Sequence, residues 1–320
     1  MTITSFFQLV EIKTKVASVF PFFIGSFFTL YAFGEFDIIN GLIMFLGMLI
    51  FDMTTTAINN YIDYIRAVKK EGYGYEVHNA IGRYNLNPKH VKYLIFLMLA
   101  ISTALGLILV MRTDLLVLIL GMLCFAIGIL YTFGPLPISR TPLGEIFSGL
   151  TMGLLLTFIS IYVHIYNQGL IDIHLTTNQV FFSFNYIKLF GIGLICIPMI
   201  FTIANIMLAN NLCDMEDDLI NKRYTLPLYI GSNKGLIIWQ TLYFMSYVAI
   251  IVAVCIHILP VTCLLTLLTF NKVIQNINVF KAKQEKQSTF IIAIQNFLMI
   301  NGVYLITLII GCILKYVLCP

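Results

Sequence analysis

The chain has 320 residues, of which 59% are hydrophobic and 11% charged, with a mean hydropathy of +0.93 and a net charge of +4. Soluble domains carry about 25% charged residues, so this composition excludes a water-soluble globular protein. No nucleic-acid partner is expected. The seven cysteines form no Cys-x-x-Cys pair and the five histidines are scattered, so free thiols are expected and no structural metal or haem site.

Apolar runs of about 20 residues are long enough to cross a bilayer as helices. In chain order the sequence predicts about nine, near 16–33, 41–62, 92–111, 114–133, 143–166, 186–211, 235–257, 259–279 and 290–315. The expected fold is an all-α polytopic membrane protein, one integral-membrane domain over 1–320. Met1–Lys15, with Glu11 and two lysines, is expected to lead uncleaved into span one. Spans three and four form a tight hairpin around Arg112-Thr113-Asp114. Asn271, Lys272, Gln275 and Asn278 interrupt the second half of span eight.

Orientation follows from the basic residues. With nine spans, only Arg112, Lys188 and Lys315 of the 19 Lys and Arg fall on one side. The crowded side is expected to be cytoplasmic, with the N-terminus, at the plasma membrane. Two polar connectors lie on that side, from Asp63 to Lys92 and from Leu212 to Lys234.

Those connectors begin with two copies of one signature, Asn-Asn-Tyr-Ile-Asp at Asn59–Asp63 and Asn-Asn-Leu-Cys-Asp at Asn210–Asp214. Helical spacing puts Asn59, Asn60 and Asp63 on one stripe, and Asn210, Asn211, Asp214 and Asp218 on another. Carboxylates and amides at a membrane boundary are costly unless they pair with something charged. Oxygen ligands of this kind suit Mg2+ completed by phosphate oxygens. Basic residues follow both copies: Arg66, Lys69 and Lys70, then Lys222 and Arg223. Acids for a metal beside cations for phosphates describe a diphosphate site. An Asp at a helix end is also an ordinary cap; two matching copies, placed alike, weigh against that reading.

Asp52 lies roughly 16 Å below Asp63 within span two, on a stripe with Thr56 and Asn59. It marks either a polar-lined cavity that takes a substrate or a hydrogen bond to a neighbouring helix. Glu145, at the head of span five, leans toward capping and packing.

Three segments resemble the UbiA superfamily of membrane-embedded aromatic prenyltransferases: Asn59–Tyr64, Tyr131–Glu145 and Asn210–Leu226. Glu11–Lys15 is similar to the basic opening of that family's first helix. Within the superfamily, the branch that prenylates 1,4-dihydroxy-2-naphthoate is the most similar. Asn60 stands where the family's first signature usually has Asp, and a lysine where a later Asp would be.

The resemblance implies helices ringing a central cavity, open sideways to lipid. It implies a Mg2+-dependent enzyme that transfers a polyprenyl group from an all-trans polyprenyl diphosphate to an aromatic acid, with loss of CO2 and diphosphate. It implies metal ligands Asp63, Asp214, Asp218 and Asn211, and catalytic residues Asp63, Asp214, Asp218 and Tyr131. Asn59, Asn60, Arg66, Lys70, Lys222, Arg223 and Lys13 would hold the diphosphate, and Arg140 and Asp52 the acceptor. Aromatic faces such as Tyr61, Tyr131 and Phe133 would shield an allylic cation, and Gly72–Tyr75 would belong to a closing lid. A different aromatic or lipid acceptor is the alternative. A transporter would instead concentrate its polar residues near mid-bilayer. Oligomeric state is not written in these features.

Overall fold

The structure, a computed structural model, describes residues 1–66, 79–132, 137–175 and 178–318. The nine expected segments are present: Val16–Phe33, Ile38–Arg66, Pro88–Arg112, Leu115–Thr132, Gly144–Ile165, Tyr186–Cys213, Ser232–Cys255, the composite pair Val261–Thr269 and Phe270–Ala282, and Ile291–Leu318. Among the described residues, seven helices are long and apolar enough to cross a membrane, and the fourth segment is a shorter apolar helix. The eighth opens as a 3-10 helix before its polar second half becomes α-helical.

Local chemistry sets the ends. Pro88 occupies the first turn of span three, where its missing N–H costs nothing, and Asn87 caps the Lys89 amide at 2.9 Å. Asp114 caps span four through Leu116 N at 3.0 Å, closing the hairpin where the sequence placed it.

Several elements were not foreseen. Ile3–Leu9 is a helix started by a Thr2–Ser5 capping box, followed by a 3-10 turn over Ile12–Lys15. Strands Ile171–Leu175 and Val180–Phe184 pair antiparallel in the connector between spans five and six. Gly149–Leu155 of span five is a π-helix. Five-residue strands and a wide helical turn leave little periodic trace in an apolar sequence.

Spans one, five, six and nine share a core that includes Ile24, Phe28, Ile161, Met199, Phe297 and Tyr304. Spans six to nine close around buried Trp239, whose indole N–H donates to Asn205 O at 3.0 Å while the Asn205 amide donates to Trp239 O at 2.9 Å. Spans five and six approach so closely that a Cβ on Gly153 would lie 2.5 Å from the Ile200 backbone, and one on Gly149 2.7 Å from Ile200 O.

The other half is open. A cavity of about 620 Å3 is lined by spans two to five, with Ser18 contributed by span one. Among the described residues, its lining comes from the first five spans.

Candidate active site at the signature face

The first signature occupies the C-terminal end of span two and the second the C-terminal end of span six. The three basic residues assigned to the opposite side gather at the far end of spans one and two. Lys315 Nζ donates to Tyr31 O at 2.6 Å, Lys188 lies 5.5 Å from the Phe33 ring, and Arg112 Nε donates to Asn40 Oδ1 at 2.7 Å.

Asn59 lines the cavity, and its buried Oδ1 has no protein hydrogen-bond partner. Asn60, one residue on, faces the other way. Its amide donates to Leu9 O at 3.1 Å and to Glu11 Oε1 at 3.3 Å, tying span two to the N-terminal leg. The diphosphate role expected for Asn60 is at odds with this burial, because the side chain already bonds within the protein. Asp63 is exposed on the last turn of span two. For Arg66 the backbone alone is described. Lys69, Lys70, Gly72–Tyr75 and Phe133 lie outside the described residues.

Asp52 also lines the cavity, and it is ion-paired. Lys15 Nζ lies 2.7 Å from Asp52 Oδ1 and 2.6 Å from Thr56 Oγ1, while Ser18 donates to Asp52 Oδ2 at 2.6 Å. Asp52 thus bonds to a neighbouring span and also forms part of the cavity wall. Lys13 is exposed, and Lys15 is the lysine that reaches inward.

Tyr131 lines the cavity at the end of span four, and its hydroxyl donates to Gly144 O at 3.4 Å. Phe51 and Phe125 stack at 4.1 Å and Phe147 adds a third ring to the wall. Sequence spacing did not single these rings out, since phenylalanine is ordinary in a membrane helix. Tyr61 packs instead against the cluster formed by the N-terminal leg with spans two and three.

The second signature is densely wired. The Asn211 amide donates to Glu145 Oε1 at 2.8 Å, and Asn211 Oδ1 and Glu145 Oε2 are left without protein partners. Glu145 is thus more than a cap. Asp218, 2% exposed, accepts from Thr225 at 3.0 Å and lies 3.3 Å from Arg223 Nε. Burial pushes its carboxyl above the usual carboxylate range, against the pull of Arg223. Asp214 pairs with Lys286 at 2.5 Å, a residue that sequence reasoning did not connect with the site. Lys222 is exposed in a left-handed turn (φ 52°). Arg140 is exposed and its carbonyl accepts from Tyr224 N at 3.1 Å, which docks the chain after the second signature onto the span four–five connector.

A profile of the UbiA prenyltransferase family matches residues 18–301, which include both signatures, Asp52, Tyr131 and Glu145. The chain belongs to the UbiA prenyltransferase family. It is 26% identical over 310 residues to the 1,4-dihydroxy-2-naphthoate octaprenyltransferase of Bacillus subtilis (strain 168), covering 97% of this chain and 92% of that one. A solved UbiA homologue from Aeropyrum pernix K1 superposes with TM-score 0.66 at 14% identity, over 95% of this chain and 98% of the other. A UbiA homologue from Archaeoglobus fulgidus, solved bound to DMAPP and Mg2+, superposes with TM-score 0.63 at 10% identity, over 96% and 99%. At these identities the two structures speak to the fold alone.

This UbiA protein is accordingly a multi-pass membrane prenyltransferase. Among its described residues, no three His, Cys, Asp or Glu converge as a ready-made metal cage. The donors fit Mg2+ nonetheless. Mg2+ commonly takes one or two carboxylates and completes its shell with water and substrate phosphates. Asp214 and Asp218 supply hard oxygens one helical turn apart, and the buried oxygens of Asn59 and Asn211 lack protein partners.

Proposed function

We propose that this chain, acting as one domain over 1–320, transfers a polyprenyl group from an all-trans polyprenyl diphosphate to 1,4-dihydroxy-2-naphthoate. The products are demethylmenaquinol, CO2 and diphosphate. The observation that carries the reading is an apolar cavity of about 620 Å3 whose wall includes Asp52, Asn59 and Tyr131. It suits a hydrocarbon tail with a polar head. The Bacillus subtilis relative supports the choice of acceptor.

Asp63, Asp214, Asp218 and Asn211 are the residues proposed to hold Mg2+. Bound there, Mg2+ would supply charge stabilisation for the leaving diphosphate. Arg223 and Lys222 follow the carboxylates closely enough in sequence to reach phosphate oxygens. In the reaction the allylic C–O bond breaks and its electron pair leaves with diphosphate. The ring carbon bearing the carboxylate forms the new C–C bond, and loss of CO2 returns an electron pair to the ring. Phe51, Phe125, Phe147 and Tyr131 line the space where positive charge develops; ring faces stabilise such charge and exclude water. Arg140 or the Lys15–Asp52 pair would orient the acceptor. The signature face is proposed to be cytoplasmic at the plasma membrane, because it carries most of the basic residues.

The test uses purified protein with Mg2+, a polyprenyl diphosphate and a panel of aromatic acids that includes 1,4-dihydroxy-2-naphthoate. Prenylated naphthoquinol with equimolar CO2 is the expected outcome. Turnover of a different acceptor, with none of the naphthoate, would reject the naphthoate assignment.

A further inference from the structure

Lys286 stands on the connector between spans eight and nine, far in sequence from either signature. Its ammonium lies 2.5 Å from Asp214 Oδ2 and also donates to Asn210 Oδ1. One cation thus bridges an amide oxygen and a carboxylate oxygen a single helical turn apart. The connector that delivers it is itself braced. Lys283 pairs with Glu285 at 2.5 Å, Ser288 donates to Glu285 Oε2 at 2.6 Å, and the Glu285 amide donates to Thr289 Oγ1 at 2.8 Å. The Phe290 ring lies 5.1 Å from the Lys286 ammonium.

We propose that Lys286 is a resident counter-cation of the second signature, which releases Asp214 to an incoming metal and then grips a phosphate oxygen. The inference rests on the diphosphate reading of the site. Its physical basis is competition. Two cations cannot share the same pair of oxygens without repulsion. The Lys286 side chain is 46% exposed, so it is free to move without unpacking anything. A lysine carries three donors on a flexible four-carbon stem, and can follow a phosphate over a few ångströms.

Two effects of opposite sign follow. Metal alone must displace Lys286, whereas metal with diphosphate recruits it. A residue that merely braced the connector would produce no such reversal.

The experiment uses the full chain in detergent and Mn2+ as the probe, with bound and free ion resolved by electron paramagnetic resonance. Inorganic diphosphate is then titrated in the presence of Mn2+. Lys286→Gln should bind Mn2+ alone about five-fold more tightly, as loss of a partly screened ion pair allows. The same variant should bind diphosphate roughly ten-fold more weakly, as loss of a charge-assisted contact requires. Lys286→Arg should restore both toward wild type. Asp214→Ala should lose the Mn2+ signal. If Asp214→Ala abolishes Mn2+ binding while Lys286→Gln leaves both affinities unchanged or weakens both, the counter-cation role is wrong and the site reading stands. If Asp214→Ala binds Mn2+ as wild type does, both fall together.

Discussion

At the scale of single residues, the second signature is distinguished by what its acids touch. Asp218 is buried beside Arg223 and Thr225, and burial raises its carboxyl. A carboxyl raised on folding contributes stability that is present below its unfolded value and is lost as pH rises through the folded value. Removing the ionisable group should therefore help the ligand-free protein more at neutral pH than in acid. Thermal unfolding of Asp218→Asn against wild type, from about pH 4.5 to about pH 7, should show the variant gaining on wild type as pH rises. A gap that moves the other way would mean that Arg223 holds the carboxylate more firmly than burial opposes it. The same shift would make the proposed holding of Mg2+ by Asp218 acid-sensitive, since only the ionised carboxyl serves as a ligand.

At the scale of elements, the site depends on how span five meets span six. Glu145 reaches Asn211 because the π-helical stretch Gly149–Leu155 lies directly against the Ile200 backbone. Glycine is required there by contact, not by backbone conformation. Gly153→Ala places a methyl 2.5 Å from main-chain atoms that cannot rotate away. It should cost about 1–3 kcal/mol, read as a lowered Tm in detergent, and should separate Glu145 from Asn211. Gly193→Ala in span six meets nothing within 4 Å and is the matched control, expected to leave Tm nearly unchanged. The N-terminal leg is a second such element. Asn60 and Lys15 fasten it to span two at two points along that helix.

At the scale of the molecule, two halves divide the work. Spans six to nine pack densely around Trp239, and spans two to five leave the cavity. Gly121 lines that cavity with open space around it. Gly121→Phe should fill volume without straining the backbone. In a product assay with diphosphates of graded length, the preference should move toward shorter prenyl chains while Tm holds. Unchanged chain-length preference would place the prenyl tail elsewhere.

Taken alone, the sequence determined the membrane class, the nine segments and the repetition of one signature at two helix ends. Those follow from length, hydropathy and helical period, which are local properties of the chain. It also marked Asn59 and Asp214 through repetition, and Asp218 through helical spacing, neither of which needs contact information. Other features were decided by the tertiary structure, because they join residues far apart in the chain. Lys286 meets Asp214 across 72 positions, and Asn211 meets Glu145 across 66. Asn60 and Asn59 read alike in sequence, yet 100° of helical turn sends one to the N-terminal leg and the other to the cavity. Lys13 and Lys15 differ in the same way, and packing alone chose which lysine would face Asp52.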